Sequence, residues 1–332
     1  MLRLFFFTIG LFLPFLPYSQ VVTVSEEIVL RTGISYELIG KVKNQYLLFQ
    51  NKEVAFEIQT FDEDLRSTWT KELELDKKRV NVLTVAPLED HFYLVYEFKQ
   101  KGNTIIKAQK YDARANLVDS VSIKDFGFLF ITPNFQFVRS EDRSKLLIWH
   151  IENENTIHAL SFDIKTMKLL WSTVITPQDY YISRDVTDLL VDNEGRMHLI
   201  LQKDNLRYRG KVHYYEIYTC STDSMPPRPK IVPMEGYTTY DAKYTYDNLN
   251  QQLVIAGLYA DKNPGWAKGY FVLTIQQRSP EEHTLSFQEL EEKLVESFWK
   301  INPLSKIKVF RSRRYKRLFC GAMEGLSWWL KK

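Results

Sequence analysis

The runs KLLIW at 145–149, TIHALSFD at 156–163 and KLLWS at 168–172 decide the fold. Each is a short β-rich segment bounded by polar turn residues, the pattern of consecutive antiparallel hairpins. The pattern recurs along the chain. Strands like KLLIW stand at YLLFQ (46–50), FYLVY (92–96), MHLIL (197–201) and LVIAG (253–257), and each reads as the opening strand of a unit. Second strands follow in EVAFEIQTFD from Glu53, TIIKAQKYD from Thr104, KVHYYEIYT from Lys211 and GYFVLTIQQ from Gly269. The spacing of about 50 residues holds through five copies, so the chain is an array of repeated β units. An aromatic-Asp pair marks three of them, at Phe61-Asp62, Tyr111-Asp112 and Phe162-Asp163. Turn chemistry separates the strands at Lys101-Gly102-Asn103, at Asp192 to Gly195 and at Asp261 to Gly265.

About four short antiparallel strands in each such repeat make the blade of a β-propeller, because a β-sandwich rarely keeps an internal period. The aromatic-Asp pairs and the Asp-x-x-Gly-x-x-x-Leu turn at Asp192 to Leu199 resemble those of secreted bacterial β-propeller repeat proteins over about residues 34–278. That resemblance implies an architecture and brings no catalytic residue with it. The Gly-His and Trp-Asp signatures of the WD-repeat class are absent. The expected fold is therefore all-β, a propeller-like array of about five four-stranded blades, complete or as an incomplete ring.

The ends differ from this body. Residues 1–19 carry one basic residue, Arg3, then an apolar run from Leu4 to Leu16 and a small residue at Ser19, the layout of a signal peptide cleaved before Gln20. The run is shorter than the roughly 20 residues of a membrane span, although a single N-terminal anchor is the other reading. Past Gln277, residues 286–299 place Phe287, Leu290, Leu294 and Phe298 at helical spacing, with Ser286 and Glu289 forming a capping box. One C-terminal amphipathic helix is expected there, packed on the propeller edge or on a partner.

Residues 300–332 form a basic tail. From Lys306 onward, Lys306, Lys308, Arg311, Arg313, Arg314, Lys316, Arg317, Lys331 and Lys332 face Glu324 alone, so the near-neutral +3 of the chain hides an acidic body. Such a cluster attracts polyanions, and in an exported protein these are polysaccharide or lipid headgroups, not nucleic acid. A second reading is a frameshift between about Asn302 and Arg311. The codons of Ala322-Met323-Glu324-Gly325 and Trp328-Trp329-Leu330-Lys331, shifted by one frame, can spell a turn and a blade-like strand, which makes the tail out of frame and leaves further blades unread.

The sequence carries no recognisable catalytic signature. His91, His150, His158, His198, His213 and His283 hold no zinc-hydrolase spacing, and no nucleophile elbow, phosphate loop or dinucleotide fingerprint occurs. His150 and His158 can meet across a hairpin, as ordinary strand residues. The recurrent Asp62, Asp112 and Asp163 have the phase of calcium ligands or acids, but an Asp before a turn is better used in capping its amides. Tyr180-Tyr181, Tyr237, Tyr240 and Trp266 form either a stacking platform or rim packing. Cys220 and Cys320 read as unpaired thiols.

These observations assign no catalytic residue, metal site or cofactor. They point to an exported, extracytoplasmic binding or scaffolding module with a protein or glycan partner on one propeller face, no nucleic acid and no stable membrane span. The alternatives are an extracellular glycan-active enzyme on a propeller and a truncated, non-functional fragment of a larger one. A convergent acid cluster favours the enzyme, and an apolar or aromatic rim favours binding.

Overall fold

The computed structural model describes residues 22–25, 27, 31–205, 212–222, 227–261, 267–279 and 281–290. Among these, twenty strands form five four-stranded antiparallel sheets, each made of consecutive strands. The first sheet comprises β1 (Ser35–Val42), β2 (Gln45–Asn51), β3 (Phe56–Phe61) and β4 (Ser67–Leu73). The second comprises β5 (Asn81–Leu88), β6 (His91–Gln100), β7 (Asn103–Asp112) and β8 (Leu117–Phe128). In the third are β9 (Gln136–Arg139), β10 (Lys145–Glu152), β11 (Thr156–Asp163) and β12 (Lys168–Ile175). The fourth holds β13 (Val186–Val191), β14 (Met197–Lys203), β15 (Tyr214–Cys220) and β16 (Pro229–Pro233), and the fifth β17 (Thr238–Asp247), β18 (Gln252–Ala260), β19 (Gly269–Gln276) and β20 (Thr284–Glu289).

The described residues fall into two compact units, Met1–Lys99 with Lys107–Ser120, and Gln100–Ile106 with Val121–Lys332. Within the first, β1 contacts β5, and within the second β9 contacts β13 and β13 contacts β17. First strand against first strand is how blades radiate from an axis, and the chain has β-propeller architecture.

The second unit shows why the sequence runs are so apolar. In β14, Leu199 and Leu201 face the third sheet and pack with Leu147, Ile157 and Trp171, whereas Ile200 faces the fifth and packs with Ile255, Phe271 and Leu273. Because side chains alternate and both faces are covered, every residue of β14 is buried. Burial of a Leu or Ile on such a face contributes about 1.5–3 kcal/mol.

Two sequence expectations need correction. The runs YLLFQ, FYLVY, KLLIW, MHLIL and LVIAG are the second strands of their sheets, not the opening ones. Some of the strands before them carry less hydrophobic signal, as in β9, QFVR, with its four residues, and in β17, TTYDAKYTYD. The expected helix at 286–299 also fails at its start. Ser286, Phe287, Gln288 and Glu289 belong to β20, paired with Val272, Phe271, Tyr270 and Gly269. Phe287 packs, partly buried, against the core, 4.9 Å from the Tyr259 ring and 4.8 Å from Tyr237, and this packing with the ladder to β19 outweighs a local capping signal. The rest of that helix and the tail at 300–332 lie outside the described residues, as do residues 1–19, Trp266 and Cys320.

Candidate binding face

Consecutive strands give each sheet two ends. The turns between its first and second and between its third and fourth strands lie at one end. The turn between its second and third strands and the connections to neighbouring sheets lie at the other.

The turn end is built from local hydrogen bonds. Asp62 Oδ1 accepts from the Arg66 amide at 2.8 Å, Asp112 Oδ1 from the Arg114 and Asn116 amides at 2.8 and 2.9 Å, and Asp163 Oδ1 from the Thr166 amide at 3.1 Å. These three aspartates are turn caps, as their position after an aromatic implies. Asp192 does the same for Glu194 and Arg196, and its Oδ2 takes the Arg196 Nε at 2.6 Å. Gly195 completes this turn at a φ of +84°, and its carbonyl accepts the Trp171 indole N–H at 2.9 Å. Burial alone raises the Asp192 carboxyl, but His198 beside it and the Arg196 amide and guanidinium outweigh this and hold it below the usual range. In the second unit the turns are also tied to each other: Asn193 Oδ1 accepts the Asp142 amide at 3.1 Å, Asn248 Oδ1 the Asn193 amide at 2.8 Å, and Asn248 Nδ2 donates to Glu141 at 3.0 Å.

The connection end is held by hooks from second strands. The Tyr96 hydroxyl donates to Asp76 Oδ2 at 2.5 Å, and Lys107 Nζ donates to Asp76 Oδ1 at 2.9 Å. The His150 ring meets Phe135 edge-on at 5.1 Å, and Tyr259 packs on Tyr237 at 4.8 Å. Lys203 is a fully buried hook, with a side chain 0% exposed. Its ammonium donates to the Gln178 and Asp179 carbonyls at 3.0 and 2.6 Å, with Asp185 Oδ2 at 3.5 Å and Glu216 Oε2 at 3.9 Å. Arg184 grips the same connection from outside, through Asp185 at 2.8 and 3.1 Å and Asp179 at 3.2 Å. These carboxylates, Asp185 first, raise the Arg184 pKa.

Below this lies a second buried network. His213 Nδ1–H donates to the Lys203 carbonyl at 2.7 Å, and Nε2 accepts from the Thr239 hydroxyl at 2.8 Å. Gln202 donates to the same hydroxyl at 2.5 Å, and Asn205 brackets the Thr239 backbone. Burial lowers the His213 pKa to about 4. His150 is also lowered to about 4, by burial and then by His158, whose ring stacks on it at 4.6 Å. The two histidines thus meet across the hairpin, and His158 Nε2 is spent on Glu152 at 2.9 Å.

Among the side chains that face solvent at this end, beside charged ones such as Lys78, Lys101 and Glu235, several are apolar or aromatic. Phe128 projects from the end of β8, Phe130 and Ile131 from the connection after it, Tyr181 and Ile182 from the connection after β12, and Tyr240 from the start of β17. The tyrosines therefore divide. Tyr180 is buried, its hydroxyl 2.7 Å from Thr187, and Tyr237 packs inward, whereas Tyr181, with Arg184 over its ring at 5.5 Å, and Tyr240 face out. Lys203 was not singled out from sequence; a lone cation closing an apolar strand, MHLILQK, is the signal that marks it.

Elsewhere, a groove of 310 Å³ in the first unit is lined by Tyr36, Gln50, Lys52, Glu57, Gln59 and Thr70. Its polar groups bond mainly to one another, Gln50 to Gln59 at 2.7 Å and Lys52 to Glu57 at 2.5 Å. Among the described residues no group of three or more His, Cys, Asp or Glu is placed to hold a metal ion. Cys220 is a buried free thiol, raised by burial to about 11. Among the described residues no helix is long and apolar enough to cross a membrane.

No protein-family model and no curated protein matches the chain. Among solved structures it is similar to the Dos1 propeller, at 10% identity over 74% of this chain and 58% of that one, with a TM-score of 0.39. It is similar to the β-propeller domain of the Trilobed protease from Pyrococcus furiosus, at 10% identity over 79% and 80% of the chains and a TM-score of 0.42. TolB from Acinetobacter baumannii is a third, at 15% identity over 77% and 52%, with a TM-score of 0.31. The chain spans a little over half the length of the first and third. The likeness is one of fold.

Proposed function

We propose that the protein is an exported β-propeller binding module that presents the connection end of its fourth and fifth blades to a protein or glycan partner. The carrying observation is the division of labour in the connection after β12. Asp179, Arg184 and Asp185 are engaged with one another and with Lys203, while Tyr181 and Ile182 stand 48% and 46% exposed above them. A Tyr and an Ile held on an ion-paired, preordered connection offer apolar and stacking contact at little entropic cost. Asp185 and Lys203 are too buried to reach a substrate, and their bonds serve the connection. Cleavage before Gln20, and the tail from residue 300 as either a polyanion patch or an out-of-frame stretch, belong to the same proposal.

The test is binding of the folded protein to a glycan array and a displayed-peptide library, beside the double variant Tyr181→Ser, Ile182→Ser. Ligands retained by the parent and lost by the variant support the reading. Release of reducing ends from a polysaccharide panel by the parent replaces it with the glycan-active alternative. The mass of the protein's N-terminus after export tests the cleavage site. Resequencing codon 290 onward decides between the two readings of the tail.

A further inference from the structure

The connection between the second and third blades carries a different surface. Its sequence, Phe126-Gly127-Phe128-Leu129-Phe130-Ile131-Thr132-Pro133, holds no charge. The base of this loop is fixed. Asp125 Oδ1 accepts the Gly127 amide at 2.7 Å, and Asp125 Oδ2 takes the Asn103 side-chain amide at 3.0 Å. Gly127 turns the chain at a φ of +72°, a conformation that favours glycine. Phe126 points inward, its ring 5.1 Å from Phe135 and 5.8 Å from His150. Beyond that anchor the tip turns outward, leaving Phe128, Phe130 and Ile131 exposed at 72%, 87% and 79%.

Exposures this high mean that the side chains stand clear of their surroundings as a convex point. A folded partner needs a matching pocket for each of them, whereas the hydrocarbon boundary of a bilayer takes up a convex apolar tip of any shape. A cation stands beside it. Lys101, at the tip of the β6–β7 turn, is exposed, and the next residue, Gly102, lies against the Phe128 ring, which a Cβ there would meet at 3.3 Å. Uncharged aromatic and aliphatic residues flanked by a lysine are the chemistry of an anionic lipid surface.

We propose that the Gly127–Ile131 loop is a lipid-surface contact, with Phe128, Phe130 and Ile131 entering the headgroup boundary and Lys101 facing anionic headgroups. Such a contact goes beyond the binding reading above, uses other residues and stands or fails without it. It is peripheral and places no strand or helix across the bilayer.

Cosedimentation of the full chain with phosphatidylcholine vesicles, with and without phosphatidylglycerol, tests this. The parent is expected to partition onto the vesicles, more strongly with phosphatidylglycerol. The double variant Phe130→Ser, Ile131→Ser should lose at least about tenfold, given the apolar area it removes. Lys101→Ala should lose about fivefold on the anionic vesicles alone. These residues are exposed, so an unchanged thermal transition checks that each variant folds. Equal partitioning of parent and double variant overturns the proposal, as does a folded parent that stays in the supernatant. A lipid-free dimer that the double variant abolishes also overturns it and assigns the tip to a second copy of the chain.

Discussion

At one end of the fourth sheet Asp192 is held by Arg196, four residues further along the chain; at the other, Asp185 is held by Lys203, which arrives from the far end of the next strand. Both carboxylates have side chains 1% exposed, and both are charge-paired. The first pair closes a turn within itself. The second fastens a connection to the sheet, beside the buried Tyr180. A local turn forms wherever its own residues are present, whereas a connection depends on strands that must already be assembled. The connection end should therefore be the part that fails first, and failure there should be steepest where a buried charge loses its partner.

The largest effect should come from Lys203→Met. Asp185 and Glu216 would keep their burial and lose a cation, and breaking one side of a buried pair costs about 3–5 kcal/mol. Urea unfolding should show a loss of that size, without a matching loss for Lys41→Met, whose ion pair with Glu63 is exposed. A loss below about 1 kcal/mol for Lys203→Met would mean that Arg184 alone holds the connection.

Acidification should separate the two ends next. His150 and His213 are lowered from 6.5 to about 4 in the folded protein, so the unfolded chain binds their protons first and stability falls as pH drops from 6.5 to 4. Each contributes on the order of 3 kcal/mol across that window. His150 faces Phe126, Phe135 and His158, with Glu152 beside His158, and His213 faces the Lys203 carbonyl, Thr239 and Asp204. The turn end behaves differently. Asp142, Asp192 and Asp247 are each raised by burial but more strongly lowered by hydrogen bonds, so they start below 3.8 and their stabilisation is lost only as pH falls through still lower values. Hydrogen exchange at pH 5 should therefore open the 129–135 and 234–239 connections, which His150 and His213 hold, before the amides of 192–196. His150→Phe and His213→Gln should each flatten the slope of stability between pH 6.5 and 4. Simultaneous opening of both ends would remove the distinction.

The same contrast explains what the sequence made legible. Five units, the aspartate caps and the doubly buried strands such as β14 follow from short-range rules: a period, an Asx turn, a run without polar faces. The first strands did not, because β13 and β17 mix Asp188, Lys243 and three tyrosines among their apolar positions and lose the alternation that marks a strand. Residues 284–289 carried two signals at once, a capping box and the alternation of Leu285 with Phe287. Only the neighbouring strand β19 decided between them. The hooks Tyr96, His150, Lys203 and Tyr259 were invisible for the same reason. Each closes a second strand, and its partner belongs to the connection before the sheet.

A smaller effect tests whether the turn end of the second unit is one structure or several. Asn248→Ala removes the acceptor of the Asn193 amide and the donor to Glu141, and each neutral or charge-assisted bond of this kind contributes about 0.5–1.5 kcal/mol. If the three turns are independent, Asn248→Ala and Asn193→Ala should add in a double variant. If they form one mesh, the double variant should cost less than the sum, since the Asn248 side chain holds the backbone amide of Asn193 and so aims the Asn193 side chain at the Asp142 amide. Asp112→Ala, in the first unit, is the control: its cap joins Arg114 and Asn116 of its own turn, with Lys71 of the same unit beside them, so its cost of about 1 kcal/mol should add to either variant without coupling. Coupling between Asp112 and Asn248 would show that the turns communicate through the sheets themselves, and the contrast between local turns and assembled connections would then need to be redrawn.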